Sequence, residues 1–191
     1  MAGSRRARTP GAHDRTPGGD ELTEAARPRG TAKDRALVLL GSRWRSREEL
    51  RRRLHRAGFE PTEVEEALVD LEASGLVDDA RFARDVVRDQ VGRRQAGDRV
   101  VRQALRQKGV GDPEIEEALG EAGALGSEPE RALAFASRKA GRMARGDPEG
   151  AQRRLYGALL RRGYDPGTAR DASRRALAEA MDGLDEDEQG E

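Results

Sequence analysis

Apolar residues recur every three or four positions along most of the chain, and no stretch alternates apolar and polar residues as a half-buried strand does. This spacing predicts nine amphipathic helices between about residues 34 and 181, and therefore an all-α fold. The flanking segments have no apolar period: residues 1–33 are rich in Gly, Pro, Arg and Thr, and residues 182–191 are acidic. We therefore predict a disordered N-terminal arm over residues 1–33 and a disordered acidic tail over residues 182–191.

Capping residues indicate where several of these helices begin. An N-cap side-chain oxygen accepts a hydrogen bond from a backbone N–H of the first turn that has no partner within the helix. The signals are Ser46 with Glu49, Thr62 with Glu65, Ser127 with Glu130, Asp112-Pro113, Asp147-Pro148 and Asp165-Pro166. Six helix starts are thus predicted independently of hydrophobicity.

The clearest organising feature is an internal repeat, which is visible when three glycines are superposed. Each copy has two apolar positions of one helix face, a basic last turn, a glycine and a further apolar residue. The copies run from Leu50 to Phe59, from Val101 to Val110 and from Leu155 to Tyr164, and their glycines are Gly58, Gly109 and Gly163. Each glycine fits the left-handed position that follows the end of a helix, so each copy predicts a helix, a tight turn and a helix.

A leading helix is predicted before each of these pairs, at about residues 34–43, 80–93 and 128–144. The chain is therefore predicted to hold three tandem three-helix repeats, over residues 34–78, 79–126 and 127–181. Because the chain has only six aromatic residues, each core must be built mainly from Leu, Val and Ala, which suits thin helical layers. Stacked modules of this kind predict an elongated, curved molecule whose surface suits the binding of another polymer.

The inventory of reactive residues predicts no enzyme, no cofactor and no metal site. Cysteine is absent, and the two histidines, His13 in the arm and His55 on a predicted helix, cannot form a two-histidine zinc pair on one helix face. The chain has no phosphate-binding loop, no dinucleotide-binding glycine motif and no serine nucleophile elbow. We expect Asp78 and Asp79 to cap a helix, which is favoured over a metal site or a partner contact.

Net charge gives no indication of a nucleic-acid or membrane partner. The chain has 36 basic and 36 acidic side chains, so its formal charge is zero. No apolar stretch approaches the roughly 20 residues of a membrane span, and the N-terminus lacks an apolar signal segment. We therefore expect a cytoplasmic protein.

Clustered arginines and the single tryptophan are the candidate partner-binding residues. Arginine can bind a carboxylate or a phosphate through two parallel hydrogen bonds, and tryptophan offers a large anchoring surface. The candidates are Arg43, Trp44, Arg45, Arg47, Arg51, Arg81, Arg84 and Arg88. For the arginines of residues 43–53, partner contact and a solvated helix face both remain open. For Trp44, packing between the first and second helices is favoured over ligand contact.

The same residues resemble a known family, RecX. The resemblance is carried by Arg43-x-Arg45-Ser46-x-x-Glu49-Leu50, then Leu54-x-x-x-Gly58-Phe59, then Leu71-x-x-x-Gly75-Leu76-x-Asp78-Asp79-x-Arg81-Phe82-Ala83. The second repeat adds Leu105-Arg106-Gln107-Lys108-Gly109-Val110 and Ile115-Glu116-x-Ala118-Leu119. The resemblance spans about residues 34–181, covers neither tail, and weakens after Ala124.

The resemblance implies a cytoplasmic bacterial protein with three three-helix modules that binds along the groove of RecA filaments assembled on single-stranded DNA. It implies negative regulation: the protein would block filament growth, ATP hydrolysis and strand exchange without chemistry of its own, and so modulate recombination, DNA repair and the SOS response. We expect a monomer. The alternative is a direct DNA-binding helical-repeat protein whose arginines contact phosphates, although the near-neutral body and the lack of interleaved aromatic residues argue against strong DNA binding.

Overall fold

The structure is a computed structural model that describes residues 30–144 and 147–189. The described residues form nine α-helices and no strand, which confirms the predicted all-α fold. Residues 1–29 of the predicted arm and residues 190–191 of the predicted tail lie outside the described residues. Nothing in the described part contradicts the order of three helices per repeat.

The helices follow the predicted order, with small differences at their ends. They are α1 (Ala32–Leu40), α2 (Arg47–Arg56), α3 (Pro61–Ala73), α4 (Asp79–Val87), α5 (Asp98–Gln107), α6 (Asp112–Glu121), α7 (Glu128–Ala144), α8 (Pro148–Arg161) and α9 (Pro166–Gln189). A π-helical turn over Arg88–Arg93 continues α4, and a 3-10 turn over Ala122–Leu125 follows α6. Helix α1 begins before residue 34, its predicted start, because Thr31 and Asp34 form a capping box that the sequence analysis missed. Helix α9 extends through residues 182–189, which the sequence analysis assigned to the tail.

Each of three modules, α1–α3, α4–α6 and α7–α9, has its own main apolar core, and the third has a small second cluster of Ala144, Ala151 and Leu177. The side chains with no exposed surface include Leu50, Leu54 and Leu68 in the first module, Val101, Leu105 and Ile115 in the second, and Leu155, Leu159 and Tyr164 in the third. Truncating one such leucine to alanine removes buried apolar surface and leaves a cavity, at a cost of about 2–5 kcal/mol. Each module therefore has its own source of stability.

The three repeat glycines take the conformation that the sequence predicts. Their φ angles are +91° at Gly58, +78° at Gly109 and +87° at Gly163. The N–H of the next residue then donates to a carbonyl five residues back, over 3.2–3.3 Å, in the pairs Phe59–Leu54, Val110–Leu105 and Tyr164–Leu159. These bonds satisfy carbonyls at the helix ends and fold an apolar side chain back onto each core. The predicted helix, turn and helix of each repeat are confirmed.

Three of the predicted helix starts are confirmed in full. Ser127 and Glu130 form a reciprocal box: the Ser127 N–H donates to Glu130 Oε2 at 2.7 Å, and the Glu130 N–H donates to Ser127 Oγ at 3.5 Å. Asp147 and Asp165 each accept a hydrogen bond of 2.8 Å from a backbone N–H in the first turn of the following helix. These contacts depend only on residues a few positions apart, which is why the local pattern identifies them.

Of the other three predicted starts, one is confirmed without its full capping box and two have a different cap residue. Ser46 caps α2, but the carboxylate of Glu49 binds other side chains, so that box is only half formed. Thr62 lies inside α3, which has no side-chain cap, and Asp112 is the first residue of α6 instead of its cap. The Asp112 carboxylate accepts a hydrogen bond from Arg106 of the preceding helix at 2.8 Å. The helix start at Ser46 is therefore confirmed, without the reciprocal bond from Glu49. The caps predicted at Thr62 and Asp112 were wrong, because Pro61 already occupies the start of α3 and the Asp112 carboxylate pairs with Arg106.

Two further properties of the described residues bear on function. None of their helices is both long enough and apolar enough to cross a membrane. No group of three or more His, Asp or Glu side chains among them is arranged to hold a metal ion.

Candidate partner-binding surface

Consecutive modules are joined by equivalent contacts at two junctions. At the first junction, Ser46 Oγ donates to the carbonyl of Lys108 at 2.5 Å; at the second, the Gly97 N–H donates to the carbonyl of Arg162 at 2.9 Å. In both cases the acceptor is the last-turn carbonyl beside the repeat glycine of the following module. Among the described residues, hydrogen bonds join the first module to the second and the second to the third, but none joins the first to the third. The modules are therefore linked in series.

A carboxylate of the following module also caps the middle helix of the preceding one at each junction. The Arg47 N–H donates to Asp79 Oδ1 at 2.8 Å, and the Asp98 N–H donates to Glu128 Oε1 at 2.9 Å. Asp79 and Glu128 are the first residues of α4 and α7. The expectation that Asp79 caps its own helix was wrong, because Asp78 does so by accepting from the Arg81 N–H at 2.8 Å.

Both junction carboxylates are partly removed from water, and this raises their pKa. Burial raises the pKa of Asp79, the hydrogen bond from the backbone lowers it, and repulsion from Glu72 and Glu114 raises it further; the net pKa is above the usual value. Burial and repulsion from Asp98 raise the pKa of Glu128 in the same way.

Trp44 and Arg81 are two candidates that the structure brings together across the first junction. Trp44 precedes α2 in sequence, yet its half-buried ring packs against the core of the second module, not between the first and second helices as predicted. The guanidinium carbon of Arg81 lies 4.1 Å from the ring centroid. Such a cation–π contact at an exposed site contributes about 0.5–1 kcal/mol. The pair forms a composite surface at the point where the two modules meet.

Arg45 is a candidate that the structure removes from the surface. It is only 7% exposed, its Nε donates to the carbonyl of Leu39 at 3.1 Å, and its Nη2 donates to Ser42 Oγ at 3.2 Å. Burial, together with the positive charges of Arg43 and Arg53, lowers the pKa of Arg45. Its guanidinium satisfies the end of α1, so direct contact with a partner is not available to it.

Arg43, Arg47 and Arg51 are paired with carboxylates inside the fold. The ion pairs are Arg43–Glu49 at 3.0 Å, Arg47–Glu65 at 2.9 Å, Arg47–Glu72 at 2.8 Å, Arg51–Glu65 at 2.6 Å and Arg51–Glu48 at 2.5 Å. Burial lowers the pKa of Arg47, but its two carboxylate partners outweigh this effect and raise it. Most of the basic charge that the sequence places near residues 43–53 is therefore neutralised locally.

Arg81, Arg84 and Arg88 form a row along α4 and its π-helical extension, which we call the α4 arginine row. Arg81 and Arg88 are exposed and Arg84 is half-buried. Arg84 lies 3.9 Å from a carboxylate oxygen of Glu121, and Arg88, 75% exposed at its side chain, lies 3.4 Å from Asp85. These distances are longer than those of strong charge-assisted hydrogen bonds, so the row can exchange its present partners for others.

Leu125 is a surface residue beside the row that the sequence analysis missed. It is 47% exposed and borders, with Arg84 and Arg88, an open cleft of about 230 Å³. It lies in the 3-10 turn after α6, where no helical period continues to mark it. The only signal was a large apolar residue in a short stretch of Gly and Ala, just before Gly126. The row and Leu125 together can bind an acidic and partly apolar surface.

Comparisons with known proteins place this architecture in a family. Residues 32–71 match the model of the RecX first three-helix domain, residues 78–119 the second, and residues 127–172 the third. A protein from Corynebacterium efficiens, named regulatory protein RecX, is 38% identical over 166 residues, which is 84% of this chain and 79% of the relative. A protein of the same name from Amycolatopsis mediterranei is 35% identical over 148 residues, 78% of this chain and 84% of the relative.

Solved structures share the fold. The crystal structure of RecX from Lactobacillus salivarius superposes with a TM-score of 0.66 and 22% identity, over 78% of this chain and 94% of that one. A second crystal structure, of a regulatory protein RecX, gives a TM-score of 0.60 and 26% identity over 72% of this chain and 67% of that one.

Proposed function

Because the chain belongs to the RecX family, we propose that it is a negative regulator of RecA that binds in the groove of the RecA filament on single-stranded DNA. Binding there would restrain filament growth, ATP hydrolysis and strand exchange, and would modulate recombination, DNA repair and the SOS response. The protein would act as a cytoplasmic monomer and as a binding protein, not as an enzyme.

The observation that carries this proposal is the serial arrangement of the modules. Two junctions that repeat the same contacts place equivalent module surfaces one after another, and such a surface suits a partner that is itself a polymer of identical subunits. A partner with one binding site per subunit could then be contacted by more than one module. Linked contacts of this kind raise the overall affinity without requiring a strong contact at any single module.

The α4 arginine row is the proposed contact region on the second module. Most other candidate arginines are already bound to carboxylates or buried, so the row and the adjoining Trp44 carry the chemistry that remains exposed. Arginine and tryptophan are the residue types that most often dominate binding energy at protein interfaces. We propose that the row binds carboxylates of the filament protein.

The test is the DNA-stimulated ATPase rate of RecA during titration with this protein, measured beside its binding to bare single-stranded DNA at the same salt concentration. We expect inhibition below one protein per RecA subunit, with weak binding to the DNA alone. Inhibition that occurs only when the DNA itself is saturated would favour the alternative, a direct DNA-binding protein. Its affinity for DNA would also fall steeply with salt, because phosphate contacts release counterions.

A charge variant tests the contact region. Replacing Arg81, Arg84 and Arg88 together with glutamine should weaken filament binding about tenfold or more, since each exposed interfacial charge contributes about 0.5–1 kcal/mol. The matched control replaces three exposed arginines of the third module, Arg153, Arg174 and Arg175, whose side chains are 69–74% exposed. Equal losses in both variants would mean that only overall charge matters, and would remove the row from the interface.

A further inference from the structure

The second junction contains a cleft that none of the contacts described above uses. It is open to solvent, has a volume of about 580 Å³, and lies between the second and third modules. One wall is the π-helical turn after α4 with Gln95, the other is the first half of α7, and Leu125 stands at the rim. We call it the junction cleft. It adjoins the smaller cleft beside the α4 arginine row, because Leu125 borders both.

The backbone of one wall is held in an uncommon conformation. Residues Arg88–Arg93 form a π-helical turn, and Gln95 has a φ of +53°, the one non-glycine residue with positive φ among the described residues. The segment is fixed from the third module, since the Arg162 side chain donates to the Arg94 carbonyl and the Gly97 N–H donates to the Arg162 carbonyl. Such conformations persist where surrounding contacts over-determine them, and π-helical turns are frequent at functional sites.

Two buried polar groups beside this cleft have no hydrogen-bond partner among the described residues. Tyr164 has no exposed surface and its hydroxyl is unpartnered; Arg131 Nε is likewise covered and unpartnered. The other guanidinium nitrogens of Arg131 are occupied, by Asp98 Oδ1 and by the Gly126 carbonyl, both at 2.5 Å. Both unpartnered groups are donors, and buried donors are almost always paired in folded proteins. The described residues therefore supply no oxygen acceptor for the Tyr164 hydroxyl and Arg131 Nε.

The accessible rim of the cleft combines apolar surface with positive charge. Leu125 is 47% exposed, and Arg138 on α7 is exposed and has no carboxylate within 4.0 Å among the described residues. Glu130 also stands at the rim, where it would repel further anionic groups, so the cleft suits a ligand that joins a carboxylate to an apolar group better than a row of phosphates. Apolar lining, one uncommitted guanidinium and buried donors favour an acidic peptide with an apolar side chain over a nucleic-acid backbone.

We propose that the junction cleft is a docking site for an acidic segment of the partner protein, with an apolar side chain against Leu125 and a carboxylate directed toward Arg131, Arg138 and Tyr164. The inference rests on the proposed function only for the identity of that partner, the RecA filament. Tyr164 and Arg131 line the cleft although their unpartnered polar atoms are covered, so binding would include a small rearrangement of the side chains at its surface. The cleft and the α4 arginine row would then form one surface around Leu125.

The decisive variant is Tyr164→Phe, which removes one hydroxyl and no packing. We expect its melting temperature to equal or exceed that of the wild type, because the hydroxyl has no partner to lose, and its filament affinity to fall about five- to tenfold. Leu125→Ser should weaken binding similarly. The control is Val69→Ser, an apolar residue of the first module that is 56% exposed, which should leave affinity unchanged. A lower melting temperature with unchanged affinity for Tyr164→Phe would overturn the proposal, because an internal water molecule would then be the acceptor.

A peptide probe separates this inference from the proposed function. The peptide Ac-Glu-Glu-Leu-Glu-Glu-NH2 is titrated into the full chain, with Ac-Lys-Lys-Leu-Lys-Lys-NH2 as control, and the Arg131 Nε–H resonance is followed by NMR. We expect a saturable shift with the acidic peptide alone that is reduced in Tyr164→Phe. If the peptide causes this shift but the protein does not bind the filament, the junction cleft is a docking site for acidic peptides and the proposed binding to RecA is wrong. Filament binding that is insensitive to the cleft variants, with no peptide shift, would reject the cleft.

Discussion

Gly97 is the residue at which the second junction is least able to accept a side chain. Its φ of −75° is available to any residue, so backbone strain is not the reason. A Cβ atom there would collide with the backbone nitrogen of Tyr164 and the carbonyl group of Gly163, which belong to the opposing module. Backbone atoms cannot rotate away as the end of a side chain can. The Gly97→Ala variant must therefore push the two modules apart.

The cost can be estimated from the contacts that such a separation disturbs. Overpacking by one methyl group costs about 1–3 kcal/mol. The 2.9 Å hydrogen bond from the Gly97 N–H to the Arg162 carbonyl would be stretched, at about 1 kcal/mol. We expect the free energy of unfolding to fall by about 2–4 kcal/mol, measured by urea denaturation with circular dichroism. Hydrogen exchange at the Gly97 amide should accelerate as well.

The chain contains a matched control for this substitution. Gly111 stands before α6 in the same N-cap position that Gly97 holds before α5, and neither has a side-chain cap. A Cβ at Gly111 would meet mainly the mobile carboxylate of Glu114, so Gly111→Ala should cost less than about 1 kcal/mol. If Gly97→Ala were no less stable than Gly111→Ala, the close approach of the modules at this point would be refuted.

Three further tests, with five substitutions between them, address other contacts of the fold. Asp79→Asn keeps an acceptor for the Arg47 N–H but removes a charge whose pKa is raised, so it should be at least as stable as the wild type at pH 7. A raised carboxyl pKa means that protonation of Asp79 favours the folded state. The stability advantage of Asp79→Asn should therefore shrink as the pH of the denaturation experiment falls through the raised pKa toward 3.8. A variant that is less stable than the wild type at pH 7 would contradict this prediction. Gly75→Ala and Gly109→Ala both place a side chain at positive φ, which costs about 1–2 kcal/mol of stability in each variant. Only the new Cβ at Gly109 would also collide with Glu48, so Gly109→Ala should have the lower melting temperature. Equal melting temperatures would exclude that contact. Arg45→Met removes the hydrogen bonds from the buried guanidinium to the Leu39 carbonyl and to Ser42 Oγ, and it should lower the free energy of unfolding by about 1–3 kcal/mol. Arg53→Met, at an exposed position, should change it little; similar values would show that Arg45 is not structural.

The parts of the fold that were predictable are those set by local chemistry. A left-handed glycine after a helix, as at Gly58, depends on a few neighbouring residues, and the repeat showed the same pattern three times. The capping residues that were correct, such as Ser127 and Asp147, likewise bind backbone groups within their own first turn. Thr62 was misassigned because Pro61 already occupies the start of α3.

The candidate site was less predictable, because charge counts do not show which charges are paired. Arg45 stands between other arginines in sequence, yet it alone turns inward, toward the Leu39 carbonyl. Arg47 and Arg51 bind Glu65 of α3, which the sequence analysis assigned to a capping box with Thr62. Pairing of this kind depends on which helix faces meet, and that is a tertiary property.

The junction contacts could have been found by comparing the first residues of the three leading helices, in addition to the apolar positions of the repeat. The three leading helices begin with Ala32, Asp79 and Glu128, so a carboxylate stands first only in the second and third modules. Those are the two modules that dock onto a preceding one, and both carboxylates cap the helix they dock against. In the first module, Ala32 instead donates its own N–H to Glu63 at 2.7 Å, a contact within the module. A carboxylate at the first position of a leading helix therefore marks a module that docks onto the one before it. This position distinguishes the junction surface from the apolar core, which recurs in all three repeats.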